Sequence, residues 1–293
     1  GQRQAIRFGE RATSPAWASF KEEYLKRFSG ATTRSTRNQY LIAFARLEEY
    51  HPIQRLEEVT PKLLWDAYQH WRGSKVGLYA RNKHVASIKA AMRTAEGWGW
   101  AREQNWSIVK RDREPKGRVH FWTPDQLKHL FKSLRGVWET LARLGARAGL
   151  RPGEAHGLRW EDVDLPAATI HVTPYEGHRV KDYEARTVPI PADLARHLKA
   201  LPRRGAFVLD DWEGGRHTLG AMLAEFPRLI RKAKLTGTYY TLRHSYAADL
   251  ASRNVSLWTI AKLMGHESVR PTEIYAHLQD QTLRDAVARL SPL

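Results

Sequence analysis

Helical periodicity runs through the first hundred residues and then decays. Between Ala101 and Arg118 the sequence carries Arg102, Lys110, Arg111, Arg113, Lys116 and Arg118 together with Pro115 and Gly117, and apolar residues no longer recur every third or fourth position. A break of this kind predicts two separately packed domains joined by a basic linker over residues 101–119, because one continuous core cannot run through it. At 293 residues, each side is long enough to bury a core of its own.

Upstream of the break, residues 1–14 hold Arg3, Arg7 and Arg11 with little apolar content and read as a flexible basic arm. The chain begins at Gly1 with no methionine, which leaves room for an upstream segment. Residues 15–100 read as a helical domain of four helices, expected over 15–28, 35–50, 61–71 and 79–98. Thr60 followed by Pro61 is a helix start, since the hydroxyl can take an orphan N–H and proline has none to lose. Downstream, Thr123-Pro124-Asp125-Gln126 reads as a capping box opening a second domain, residues 120–278. Helices are expected there over 127–134, 137–148, 193–201, 219–233, 242–253, 257–264 and 271–278. Residues 169–173 and 187–190 are β-branched or alternating enough for strands. The expected fold class is mainly α with a small β-sheet: a helical first domain and a mixed α/β second one. Residues 279–293 carry Leu283, Ala286, Val287 and Leu290 at helical spacing and read as a tail that must pack on something.

Charge narrows the function. The formal net charge is +17, of which +11 lies in residues 1–120, so a polyanionic partner is expected, and nucleic acid before membrane. With no cysteine, thiol nucleophiles, disulfides and Cys-ligated metals are excluded. No apolar run approaches a membrane span and no secretory signal is evident, so an intracellular protein is expected. The histidines form no ligand-spaced cluster, and Gly214-Gly215 reads as a turn, so neither metal nor cofactor is expected.

Four segments of the second domain carry chemistry: residues 148–155 (Ala-Gly-Leu-Arg-Pro-Gly-Glu-Ala), residues 181–189 with Lys181 and Arg186, Tyr240-Thr241-Leu242-Arg243-His244-Ser245, and Leu263-Met264-Gly265-His266 leading to Tyr275-Ala276-His277. In this order, with a tyrosine nine residues after the Gly-His pair, they resemble the tyrosine recombinase (phage integrase) family. The basic helical part is similar, less specifically, to that family's core-binding domain.

The resemblance implies site-specific cleavage and rejoining of double-stranded DNA recombination sites through a 3′-phosphotyrosyl intermediate and a Holliday junction, without metal or ATP. It implies a bacterial or phage-encoded enzyme, a homo-tetramer on DNA whose tail packs on a neighbouring subunit, and possible service by an accessory directionality factor. Tyr275 is the implied nucleophile. Arg151 and Arg243 would hold the non-bridging oxygens, for which a planar, permanently charged fork is suited. Lys181, with Arg179 as a competing candidate, would protonate the 5′ leaving oxygen. His266 would contact the phosphate or steady the nucleophile, and Glu154 would orient the surrounding groups.

Tyr240 departs from the pattern, standing where the family carries the histidine of His-x-x-Arg. A phenol is a poorer base than an imidazole at neutral pH, so either Tyr240 contacts the phosphate while base work falls to His266 or solvent, or the enzyme is slow. His244 is expected to be structural, because it points elsewhere on the helix than Arg243 and in the family belongs to the common Leu-Arg-His run. DNA contacts are expected from Arg34, Arg37, Lys75, Arg81, Lys83, Lys89, Arg111, Arg113, Lys116 and Arg118. A type IB topoisomerase-like enzyme and a cleavage-impaired DNA-binding relative remain alternatives.

Overall fold

The computed structural model describes residues 14–28, 34–115, 119–173, 185–203, 205–210 and 217–279. Residues 1–13 of the expected arm, Lys116, Arg118, Arg179, Lys181, Gly214-Gly215 and the tail beyond Gln279 lie outside the described residues. The chain divides into two compact units, up to Lys116 and from Gly117.

The first unit is built from α1 (Trp17–Lys26), α2 (Arg34–Tyr50), α3 (Pro61–Arg72) and α4 (Leu78–Gly97). Thr60 caps α3 by accepting the Leu63 N–H at 3.1 Å, with Pro61 following it. The core is aromatic: Trp17, Phe20, Tyr24 and Phe44 are buried and meet ring to ring, with Tyr40, Trp98 and Trp100 packed around them. Such rings bury a large area while their edges and faces interlock.

The linker expectation is corrected for most of its length. Trp106 and Val109 are buried in the core of the first unit, and the Trp106 indole N–H donates to Glu96 Oε1 at 2.7 Å. Asp112 is fixed as well: its N–H donates to the Tyr68 hydroxyl at 2.7 Å, and the same hydroxyl donates to Asn82 Oδ1 at 2.7 Å. The dense charge of residues 101–115 hid two apolar anchors, so the segment completes the helical unit through contacts that have no helical period.

The second unit contains α5 (Pro124–Ser133), α6 (Gly136–Ala148), α7 (Pro152–Gly157), β1 (Val163–Asp164), β2 (Thr169–Val172), β3 (Arg186–Pro189), α8 (Ala192–Ala200), α9 (Leu219–Lys232), α10 (Tyr239–Ser252) and α11 (Leu257–Met264). The strands form an antiparallel sheet in the order β1-β2-β3, with Ile170 opposite both Val163 and Val188. Thr123 and Gln126 make both bonds of the expected capping box, at 3.3 and 2.9 Å. Helix α7 and strand β1 are too short for periodicity to announce them. The helix expected over 271–278 is a 3₁₀ helix, Arg270–Leu278. Helix α10 begins at Tyr239, earlier than expected, because Thr241 Oγ1 accepts the Thr238 N–H at 3.1 Å and closes the first turn. Among the described residues no helix is long and apolar enough to cross a membrane.

Candidate active site

The site forms where α7, α10, α11, β3 and the 270–278 segment meet. Helix α6 ends at Gly149 in the left-handed region (φ 62°), which turns the chain sharply into Leu150 and Arg151. A side chain at 149 would meet the Tyr246 ring at 2.5 Å. Arg151 therefore caps α7 from outside instead of riding on it. Glu154 reaches back, accepting the Arg151 N–H at 2.7 Å and its guanidinium Nη1 at 3.2 Å.

Two guanidiniums converge on the end of α11. Arg243 donates through Nη2 to the Met264 carbonyl, and Arg151 through Nη2 to the Gly265 carbonyl at 3.1 Å. Arg243 Nη1 also donates to the Gly149 carbonyl, tying the turn before Arg151 to α10. Unsatisfied carbonyls at a helix C-terminus carry partial negative charge, so they hold these cations in place. Burial lowers the pKa of both to about 10, with Arg243 adding to the effect at Arg151 and Arg186 adding to it at Arg243, yet both remain charged near neutrality.

His266 follows directly. Its Nδ1 lies 2.9 Å from Thr272 Oγ1, and its pKa is lowered to about 4 by burial and then by Arg243, Arg151 and Arg186, so the ring is neutral at pH 7. Tyr275 is buried, which raises its phenol to about 12 against the opposing pull of Arg243. Tyr240, on the first turn of α10, is 51% exposed.

Two residues have partners that the sequence did not predict. Arg186 on β3 makes a two-bond fork with Glu154 and donates through Nε to the Leu263 carbonyl at 3.1 Å. Burial alone would raise the Glu154 carboxyl, but the Arg186 bonds and charge hold it below the ordinary carboxylate range. Arg186 appeared in the motif without an assigned partner; nothing local says that β3 runs past Glu154. His244 is the second. Expected to be structural, it has Nδ1 2.6 Å from the Tyr275 hydroxyl. Residues 243 and 244 do leave α10 on different sides, but the 270–278 segment packs where it brings Tyr275 onto His244.

Of the DNA-contact candidates, Arg37, Lys75, Lys83, Arg111 and Arg113 are exposed, and Arg34 is the first residue of α2. Arg81 and Lys89 are instead engaged within the first unit. Arg81 Nη2 donates to Asp112 Oδ2 at 2.9 Å with its guanidinium over the Tyr68 ring, and Lys89 donates to the Val109 carbonyl at 3.1 Å. Among the described residues no group of three His, Asp or Glu is placed to hold a metal.

Residues 120–282 match the profile of the Phage integrase family, more than half of the chain. This chain belongs to that family. The integrase of Escherichia phage P2 is 28% identical over 185 residues, covering 63% of this integrase-family chain and 50% of that protein. A XerC-like tyrosine recombinase of Caldanaerobacter subterraneus is 28% identical over 213 residues, covering 60% and 54%. The chain thus spans about half the length of these two relatives. Among solved structures, the Tn1549 transposon integrase in complex with circular intermediate DNA superposes with a TM-score of 0.71 at 20% identity, over 92% of this chain and 98% of that one. The lambda integrase tetramer bound to a Holliday junction gives 0.72 at 16%, over 92% and 80%. At such identities the likeness is one of fold.

Proposed function

We propose that this integrase-family chain cleaves and rejoins double-stranded DNA at a specific site, with Tyr275 attacking the scissile phosphorus to form a 3′-phosphotyrosyl bond. The observation that carries the reading is the pairing of Arg151 and Arg243 on consecutive carbonyls at the end of α11, immediately before His266 and with Arg243's charge acting on Tyr275. Two fixed cations in a low-dielectric pocket are what a pentacoordinate phosphate requires. Arg243 and Arg151 bind the non-bridging oxygens, neutral His266 hydrogen-bonds an oxygen of the phosphate, and Tyr240 adds a phenol from the exposed side. Lys181 gives its proton to the departing 5′ oxygen. The covalent bond conserves the phosphodiester's energy, so rejoining needs no ATP.

The basic helical unit holds the duplex through phosphate contacts from Arg37, Lys75, Lys83, Arg111 and Arg113, making affinity steeply salt-dependent. Four copies act together, each tail of residues 279–293 packing on a neighbour. A cavity of about 470 Å³ in the second unit, lined by Phe121, Leu127 and Phe131 together with the charged Arg147, Asp193 and Asp249, offers apolar and charged partners to a tail that carries Leu283 and Leu290 beside Asp280 and Arg284.

The test starts from a random-sequence duplex pool, from which bound DNA is selected by repeated gel shift. The selected sequence is rebuilt as a duplex nicked beside each possible cleavage position, so that the cut end diffuses away. A covalent protein–DNA band from wild type and none from Tyr275→Phe is the expected result; an adduct with Tyr275→Phe overturns the assignment. Relaxation of plasmids lacking the selected sequence would favour a topoisomerase.

A further inference from the structure

We infer that His244 is the general base for Tyr275: it takes the phenolic proton through Nδ1 as the tyrosine attacks. The inference rests on the reading of Tyr275 as the nucleophile and supplies the proton acceptor that this reading lacks. The usual imidazole position is occupied by Tyr240, a phenol that is half exposed. His266 is engaged elsewhere, its Nδ1 paired with Thr272 Oγ1 at 2.9 Å. His244 alone of the described imidazoles has a ring nitrogen within hydrogen-bond distance of the Tyr275 hydroxyl, at 2.6 Å. Geometry comes first in assigning a base, and this distance is within hydrogen-bond reach.

The tautomer follows from the same pairing. With the ring proton on Nε2, Nδ1 accepts the Tyr275 O–H, and burial together with the Arg243 cation keeps the ring unprotonated, so the acceptor is vacant at neutral pH. In cleavage the Oη–P bond forms and the P–O5′ bond breaks. The phenolic proton moves to His244 Nδ1, and the 5′ oxygen takes its proton from the Lys181 ammonium. In rejoining, the 5′ hydroxyl attacks phosphorus and returns a proton to Lys181, while Tyr275 departs and recovers its own from His244. The resulting imidazolium lies beside Arg243, so the charge it adds is relieved when the proton goes back.

Two substitutions separate a base from a positioning group. Asparagine can place an amide where Nδ1 lies and keep a hydrogen bond to the phenol, but it cannot accept the proton. Wild type, His244→Asn, His244→Ala and Tyr275→Phe are compared on the selected nicked duplex, with binding followed by gel shift to verify that each variant is folded. The expectation is adduct formation slowed about 100-fold in both His244 variants at duplex affinity within about twofold of wild type, with added imidazole restoring His244→Ala at least tenfold. Cleavage by His244→Asn at the wild-type rate would reduce the contact to positioning, and faster cleavage would make it a restraint on the tyrosine; either overturns the inference while leaving Tyr275 as nucleophile. Imidazole that fails to restore a folded His244→Ala also overturns it. No adduct from wild type would overturn the underlying reading, and this inference with it.

Discussion

The Arg186 guanidinium grips the Glu154 carboxylate with two parallel bonds, Nη1 to Oε1 at 3.0 Å and Nη2 to Oε2 at 2.8 Å. Both side chains are at least 90% buried, and Glu154 in turn holds Arg151. Removing one member of such a pair leaves the other charge stranded in a poor solvent, a loss of about 3–5 kcal/mol. Arg186→Ala is expected to destabilise the second unit by about 3 kcal/mol. Arg186→Lys should recover less than half, because an ammonium does not match both oxygens at once. Chemical denaturation followed by circular dichroism measures both, and a change below about 1 kcal/mol for the alanine would reject the brace.

Gly265 ends α11 in the left-handed region at φ 63°, and a Cβ there would lie 2.8 Å from Arg186 Nη1. Arg186 cannot swing away without breaking its bonds to Glu154 and the Leu263 carbonyl. Gly265→Ala should therefore cost about 2 kcal/mol: about 1 from the backbone and the rest from the displaced guanidinium. In the Arg186→Ala background only the backbone part should remain. A double-mutant cycle with a coupling near zero would show that the two residues do not meet as described.

Acid should weaken the second unit. The unfolded imidazole titrates near 6.5, whereas folded His266 titrates at about 4, so between these values the unfolded chain binds more protons. Stability from this group is complete above pH 6.5 and is lost as pH falls toward 4. At a half-buried ring, where solvent screens the charge, the loss is roughly 1 kcal/mol by pH 5. Thermal unfolding at pH 7 and pH 5 should show a smaller difference for His266→Asn than for wild type. His244, also held low by burial, adds to the slope in the same direction and keeps it from vanishing in that variant.

Trp106 is 2% exposed within a segment whose charge reads as a linker. Trp106→Ala is expected to cost about 3–5 kcal/mol, the range for deleting a large core side chain. Limited proteolysis should then cut the first unit much faster than in wild type. If the variant unfolds at the wild-type denaturant concentration, residues 101–115 are a linker after all.

Tyr240 is 51% exposed, so Tyr240→Phe should change stability by less than about 0.5 kcal/mol. Loss of a hydrogen bond to a charged phosphate should still slow adduct formation about tenfold. Tyr240→His should raise it. Unchanged cleavage in both variants would remove Tyr240 from the site.

Sequence by itself determined what is local or periodic. The 3.6-residue spacing of Trp17, Phe20 and Tyr24 specifies a buried helix face, and Thr123 with Gln126 specifies a helix start, because the atoms involved lie within a turn of one another. The order of the Arg151, Arg243, His266 and Tyr275 motifs was equally legible, since residue type and spacing survive in one dimension. Tertiary structure alone decided which of these side chains touch. At helical spacing from Trp106 only Val109 is apolar, against Arg102, Glu103 and Lys110, too little to betray its burial, and Arg186 meets Glu154 across 32 residues. His244 was set aside because its own helix turns it away from Arg243. Its bond to Tyr275 depends on where residues 270–278 pack, and that placement comes from the cluster of Tyr246, Ala247, Ile260, Met264 and Tyr275. Hydrophobic burial is non-directional, so a sequence can say that those residues cluster without saying which polar atoms the cluster brings within 2.6 Å.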